Sequence, residues 1–188
     1  MTKVVLTGGP GVGKTTLLAA LRTSGFATVA ESARAVIAER LALGLAPRPS
    51  PVEFAREVVR RDIAAYEAAR SATGWVFFDR GLVDGLGLLS EAESLAEEEL
   101  RAVLARHAFH GQGFVLPPWP QIYATDRERA QSFDDCLRIH ESVLRWYRRC
   151  GIMLHEVPRV PVEERVAFVL ARLADPGVGP VDSRKVAR

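Results

Sequence analysis

Five short apolar runs are spaced along the chain, and after each of them apolar residues return at helical intervals. The runs are residues 3–7, 26–30, 75–79, 114–116 and 152–157, and they read as strands, the third apolar enough to be buried on both faces. Helices are predicted over residues 15–22, 31 to about 43, 51 to about 72, 81–89, a segment opened by the capping-box pattern Ser94-Leu95-Ala96-Glu97, about 126–149, and 161 to about 174. In the third of these, Phe54, Val58, Ile63 and Tyr66 mark the apolar face, and Pro51 suits the first turn. The segment after Ser94 runs from acidic (Glu97 to Glu99) to basic (Arg101, Arg106), matching a helix dipole.

Strands and helices alternate throughout. That order predicts an α/β fold, a three-layer sandwich with a five-stranded parallel sheet, in which ligands bind beyond the carboxyl ends of the strands. With 188 residues, 48% of them apolar, the chain has material for a single domain. That domain is expected over residues 1–174, with a flexible tail at 175–188.

Composition excludes more than it proposes. A net charge of +2 gives no reason to expect a nucleic-acid partner. The two cysteines, Cys136 and Cys150, form no paired motif and suit a reducing cytoplasm. No apolar stretch approaches the roughly 20 residues of a membrane span, and the N-terminus runs straight into the first strand.

The chemistry begins at Gly8-Gly9-Pro10-Gly11-Val12-Gly13-Lys14-Thr15, a complete phosphate-loop pattern between the first strand and the first helix. Glycines let successive backbone N–H groups converge on an anion, Lys14 reaches the β- and γ-phosphates, and the Thr15 hydroxyl ligates Mg²⁺. Thr16 extends the cradle into the helix. A nucleoside triphosphate, ATP or GTP, is the expected ligand.

The other strand exits supply the remaining candidates. Asp79 ends the third strand, where it can share Mg²⁺ with Thr15 or cap the next helix. Arg80 beside it either faces phosphate or makes a surface ion pair. Glu31 and Arg34, one helical turn apart after the second strand, can present an acceptor and a donor to one substrate or simply pair with each other. Arg127 and Arg129, at the start of the predicted long helix, suit a lid near residues 119–133 that closes cations over the transferring phosphoryl group. The nucleotide base is expected near residues 158–161, with Arg159 as a contact. Two weaker signals are His107 with His110, which lack a third ligand for a metal, and Trp119 among prolines, which suits a pocket wall or loop packing.

At these residues the chain resembles the P-loop kinase group, and more closely a family of small predicted AAA-type ATPases and kinases that includes the nicotinamide-riboside kinase domain of bacterial NAD-regulatory proteins. The resemblance rests on the phosphate loop, on Glu31-Ser32-Ala33-Arg34, on Phe77-Phe78-Asp79-Arg80-Gly81, on Leu116-Pro117-Pro118-Trp119-Pro120, on residues 127–133 and on Pro161-Val162-Glu163-Glu164-Arg165. Deoxynucleoside kinases look similar in the glutamate after the second strand and the acid–arginine pair after the third. The resemblance implies strand order 2-3-1-4-5, Glu31 as base or substrate ligand, Asp79 near Mg²⁺ and Arg80 on phosphate. No second arginine finger or extended helical domain suggests a ring motor.

The combined expectation is a Mg²⁺-dependent kinase, acting as monomer or homodimer, that transfers the γ-phosphoryl group to a hydroxyl of a small nucleoside-like or otherwise polar acceptor. Either Glu31 or Asp79 would be the base. A nucleoside monophosphate kinase, which would use Arg34, Arg56 or Arg60 on the substrate phosphate, is the enzymatic alternative. A nucleotide-binding regulator or slow NTPase is the non-kinase one.

Overall fold

The computed structural model describes residues 2–71, 73–93, 95–123 and 132–174. Its strands are β1 (Thr2–Gly8), β2 (Ala27–Val29), β3 (Trp75–Asp79), β4 (Gln112–Leu116) and β5 (Met153–Glu156). Its α-helices are α1 (Lys14–Thr23), α2 (Ser32–Ala42), α3 (Pro51–Ala68), α4 (Leu82–Ala92), α5 (Glu97–Arg106), α6 (Phe133–Arg149) and α7 (Val162–Ala174). All strand pairs are parallel, in the order β2-β3-β1-β4-β5.

β1 lies at the centre of the sheet and is apolar on both faces. Val4, Val5 and Leu6 are all fully buried, and alternation sends them to opposite layers. Val4 and Leu6 join Leu17, Leu21, Phe77 and Phe114 beneath α1 and α7. Val5 joins Val76, Phe78, Leu82 and Tyr147 beneath α3, α4, α5 and α6. A smaller cluster of Val36, Ile37, Phe54 and Val58 seals α2 against α3.

The starts of α6 and α5 differ from expectation. α6 begins at Phe133, because the Ser132 hydroxyl accepts from the Asp135 N–H while the Asp135 carboxylate accepts from the Ser132 N–H, a reciprocal cap that fixes the start there. α3 carries the same device in Ser50 and Glu53, with Pro51 as its first residue. α5 starts from Ala96, without the cap expected of Ser94, a residue outside the described set. The tail at 175–188 also lies outside it.

The β1–β3 register, Leu6 opposite Asp79, brings the phosphate loop and the exit of β3 to the same edge. Among the described residues no helix is long and apolar enough to cross a membrane.

Candidate active site

The phosphate loop is squeezed from two sides, which explains its glycines. Gly8 has φ +132°, and a Cβ there would lie 2.5 Å from the Leu116 carbonyl oxygen on β4. A Cβ on Gly9 would lie 2.5 Å from Cys136 Sγ on α6, whose thiol donates to the Pro10 carbonyl at 3.2 Å. Val12 is buried in the core and anchors the loop. Gly13, left-handed at φ +85°, precedes α1 and offers no side-chain cap, and the first turn of α1 holds no acid. The helix therefore presents N–H groups and a positive end to an anion. Lys14 is buried, its ammonium donating to the carbonyls of Gly8 at 3.1 Å and Gly9 at 2.7 Å.

Beside this cradle, the Thr15 hydroxyl donates to Asp79 Oδ2 at 3.5 Å. A hard cation fits there: a hydroxyl and a buried carboxylate converge from two elements, with remaining ligands to come from phosphate and water. Among the described residues no group of three His, Cys, Asp or Glu side chains forms a metal site of its own. His107 and His110 instead bond backbone carbonyls of Val103 and Gln112 inside the core.

Arg80 links the cradle to its surroundings. Its backbone is left-handed, φ 61°, a conformation that costs a non-glycine residue about 1 kcal/mol or more, and its N–H donates to Leu6 O at 2.8 Å. The guanidinium donates to Gly8 O at 2.6 Å and to Asp84 Oδ1 at 3.0 Å, and its Nε pairs with Glu31 Oε1 at 3.2 Å, an ion pair rather than an aligned hydrogen bond. Burial works against its charge, but Glu31, Asp84 and Asp79 outweigh burial and raise its pKa. Asp84 also accepts from Thr7 Oγ1 at 2.6 Å and from the Tyr147 hydroxyl. Burial first, and Asp84 second, hold that phenol neutral by raising its pKa well above the ordinary value.

On the far side of Arg80 opens a cavity of about 820 Å³ between α2, α3, α4 and α6. Glu31, Arg80 and Asp84 are among its polar lining residues, and Pro10, Ile37, Phe54, Val58, Leu88, Val143 and Trp146 give apolar wall. Asp62, buried in α3, also lines it. Burial pushes the Asp62 carboxyl up to about 7, opposed by a hydrogen bond with the Ser32 side chain and reinforced by Asp84 and Glu31.

Of the residues singled out from sequence, Lys14, Thr15, Asp79, Arg80 and Glu31 converge, and Arg34 lines the same cavity as Glu31. Arg56 and Arg60 do not: neither lines the cavity, and each lies exposed in an ion pair, with Glu93 at 2.8 Å and Glu57 at 2.7 Å respectively. Their i, i+4 spacing put them on the solvent face of α3, opposite the Phe54–Val58 stripe. Arg159 is exposed and donates to Pro118 O at 3.1 Å, fastening the exits of β4 and β5 together. Arg127 and Arg129 lie outside the described residues, N-terminal to α6 rather than at its start.

Three participants were overlooked. Asp84 and Tyr147 stand on helices where polar residues usually face solvent, although Asp84 is four residues beyond Arg80, a pairing distance. Asp62 sits between Val58 and Tyr66 at helical spacing, and a carboxylate on an apolar stripe was the signal.

Sheet order, phosphate loop and flanking helices define a P-loop protein of the kinase-like kind. The sequence matches a family described as AAA domain over residues 3–165, and the chain belongs to that family. Among solved structures it is similar in fold to a deoxyadenosine kinase from M. mycoides with bound dATP, with TM-score 0.60 and 11% identity over 93% of this chain and 100% of that one. A second structure of deoxyadenosine kinase from M. mycoides, with products dCMP and a flexible dCDP bound, gives TM-score 0.62 and 13% identity over 92% and 98%. No curated protein matches the chain.

Proposed function

We propose that the protein is an ATP- or GTP-dependent kinase that transfers the γ-phosphoryl group to a hydroxyl of a small nucleoside-like or otherwise polar acceptor. The observation that carries this reading is Arg80, whose guanidinium bonds the phosphate-loop carbonyl of Gly8 and pairs with Glu31 in the wall of the adjoining cavity. A hydrolase needs only water beside its phosphate loop; a large, partly apolar cavity sharing a cation with that loop suits a second organic substrate.

In this mechanism the loop amides and Lys14 hold the phosphates, and Arg80 stabilises charge that develops between the two substrates. Glu31 accepts the proton of the acceptor hydroxyl as its oxygen bonds to the γ-phosphorus and the bond to the nucleoside diphosphate breaks. Glu31 rather than Asp79 is assigned this role because it lines the cavity, whereas Asp79 faces Thr15. Mg²⁺, held by Thr15 and Asp79 together with the nucleotide's own phosphates, would supply neutralisation of phosphate charge.

A second reading, a nucleoside monophosphate kinase, draws on Arg34 and Arg48, which also line the cavity and could hold an anionic acceptor. Nucleotide consumption is to be measured over nucleosides, nucleoside monophosphates, sugars and amino alcohols, with product mass recorded. Turnover with a neutral alcohol supports the first reading and turnover confined to monophosphates the second. Consumption that no acceptor alters would overturn both.

A further inference from the structure

Arg165 lies in the first turns of α7, just beyond the exit of β5, and is only 7% exposed. Its Nε and Nη1 have no hydrogen-bond partner among the described residues. The guanidinium carbon stands 5.6 Å from the centroid of the Trp119 ring, and a Cβ built on Gly13 would lie 3.0 Å from Nη1. A buried cation with unsatisfied donors is costly to the fold. Burial lowers its pKa, opposed by the charge of Glu163. Nothing in the packing of α7 on α1 requires a charge at this position, since their shared core is apolar.

The location indicates what the charge is for. The acceptor cavity lies among α2, α3, α4 and α6, on the layer that α3 to α6 form, whereas Arg165 on α7 and Trp119 after β4 meet the phosphate loop from the layer of α1 and α7. A polyphosphate seated in the loop with its terminal phosphate toward Glu31 and Arg80 must leave its nucleoside end on the opposite side, past Gly13. We propose that Arg165, held over Gly13 by Trp119, is the contact for the α-phosphate end of the bound nucleotide. This rests on the nucleotide-binding part of the function proposed above. Gly13 is then glycine for a second reason besides its positive φ: a side chain there would occupy the gap that phosphate and guanidinium share.

The test is Arg165→Met in the full chain, read by calorimetric titration with ADP and with pyrophosphate, and by thermal denaturation without ligand. ADP affinity is expected to fall roughly 10- to 100-fold, as for loss of a charge-assisted hydrogen bond. Pyrophosphate, which can fill the β- and γ-phosphate positions of the loop and carries no nucleoside end, should bind within about threefold of wild type. The ligand-free variant should melt at the same temperature or higher, because an apolar side chain of similar length replaces a buried cation whose Nε and Nη1 have no hydrogen-bond partner among the described residues. Equal losses for ADP and pyrophosphate would make Arg165 a support of loop shape, and a lowered melting temperature would make it structural; either overturns the proposal. Wild-type protein that binds neither probe would overturn the nucleotide reading itself, whereas unchanged ADP affinity in the variant overturns the Arg165 assignment alone.

Discussion

The Thr15 hydroxyl stands 3.5 Å from Asp79 Oδ2, joining the start of α1 to the end of β3 across the sheet edge. The β1–β3 register produces this meeting, since Leu6 pairs with Asp79 and the phosphate loop departs two residues later. The relationship supplies the first prediction. Asp79→Asn should lower turnover far more than nucleotide affinity, because the loop still holds the anion while cation placement suffers. Comparing kcat with calorimetric affinity checks it; equal losses in both would assign Asp79 to nucleotide binding alone.

Glu31→Gln keeps the size of the side chain and removes its basicity. Phosphoryl transfer should fall by about 10²-fold or more while nucleotide affinity stays within a few-fold. Single-turnover measurement with a confirmed acceptor isolates the chemical step. Unchanged transfer would remove Glu31 as base and return the role to Asp79.

Asp84→Ala should destabilise the fold by about 3–5 kcal/mol, because it takes one of two paired carboxylates from the buried Arg80 cation and leaves Thr7 and Tyr147 without this acceptor. Tyr147→Phe removes a single donor and should cost about 1 kcal/mol. Urea denaturation midpoints measure both. An Asp84→Ala loss no larger than that of Tyr147→Phe would mean that Arg80 does not depend on Asp84.

The sheet and the cradle were legible in sequence because each obeys a short-range rule. Apolar runs of strand length located all five strands, and a contiguous loop motif located the phosphate site. Asp84, Asp62 and Tyr147 escaped because their role depends on which helix face meets the site, and that face is set by the packing of α3, α4 and α6. Arg56 and Arg60 failed for the same reason in reverse, being charged residues near the correct helix but on its solvent face. The start of α6 was missed because Ser132 and Asp135 form a cap through geometry that a run of polar residues does not display.

Asp62 gives the protein a pH signature. Its carboxyl has an ordinary value of 3.8 and is raised to about 7 by burial, so between these values the folded state holds a proton that the unfolded chain releases. Stability from this group is therefore fully present below the lower value and lost as pH rises through the upper one, on the order of a few kcal/mol in total. Asp62→Asn should abolish this slope, so that the variant gains on wild type as pH climbs from about 4 to about 8. Parallel stability curves for the two proteins would show that Asp62 titrates normally.

The central claim, that cradle and cavity form one phosphoryl-transfer site joined through Arg80, is tested most directly by following the fate of the γ-phosphate. Wild-type protein is incubated with nucleoside triphosphate labelled in that phosphate, with and without each acceptor, and the label is traced. The account predicts label in an organic phosphate ester that forms only with the acceptor present and is strongly reduced in Glu31→Gln. Label released as inorganic phosphate at a rate that no acceptor changes would contradict it.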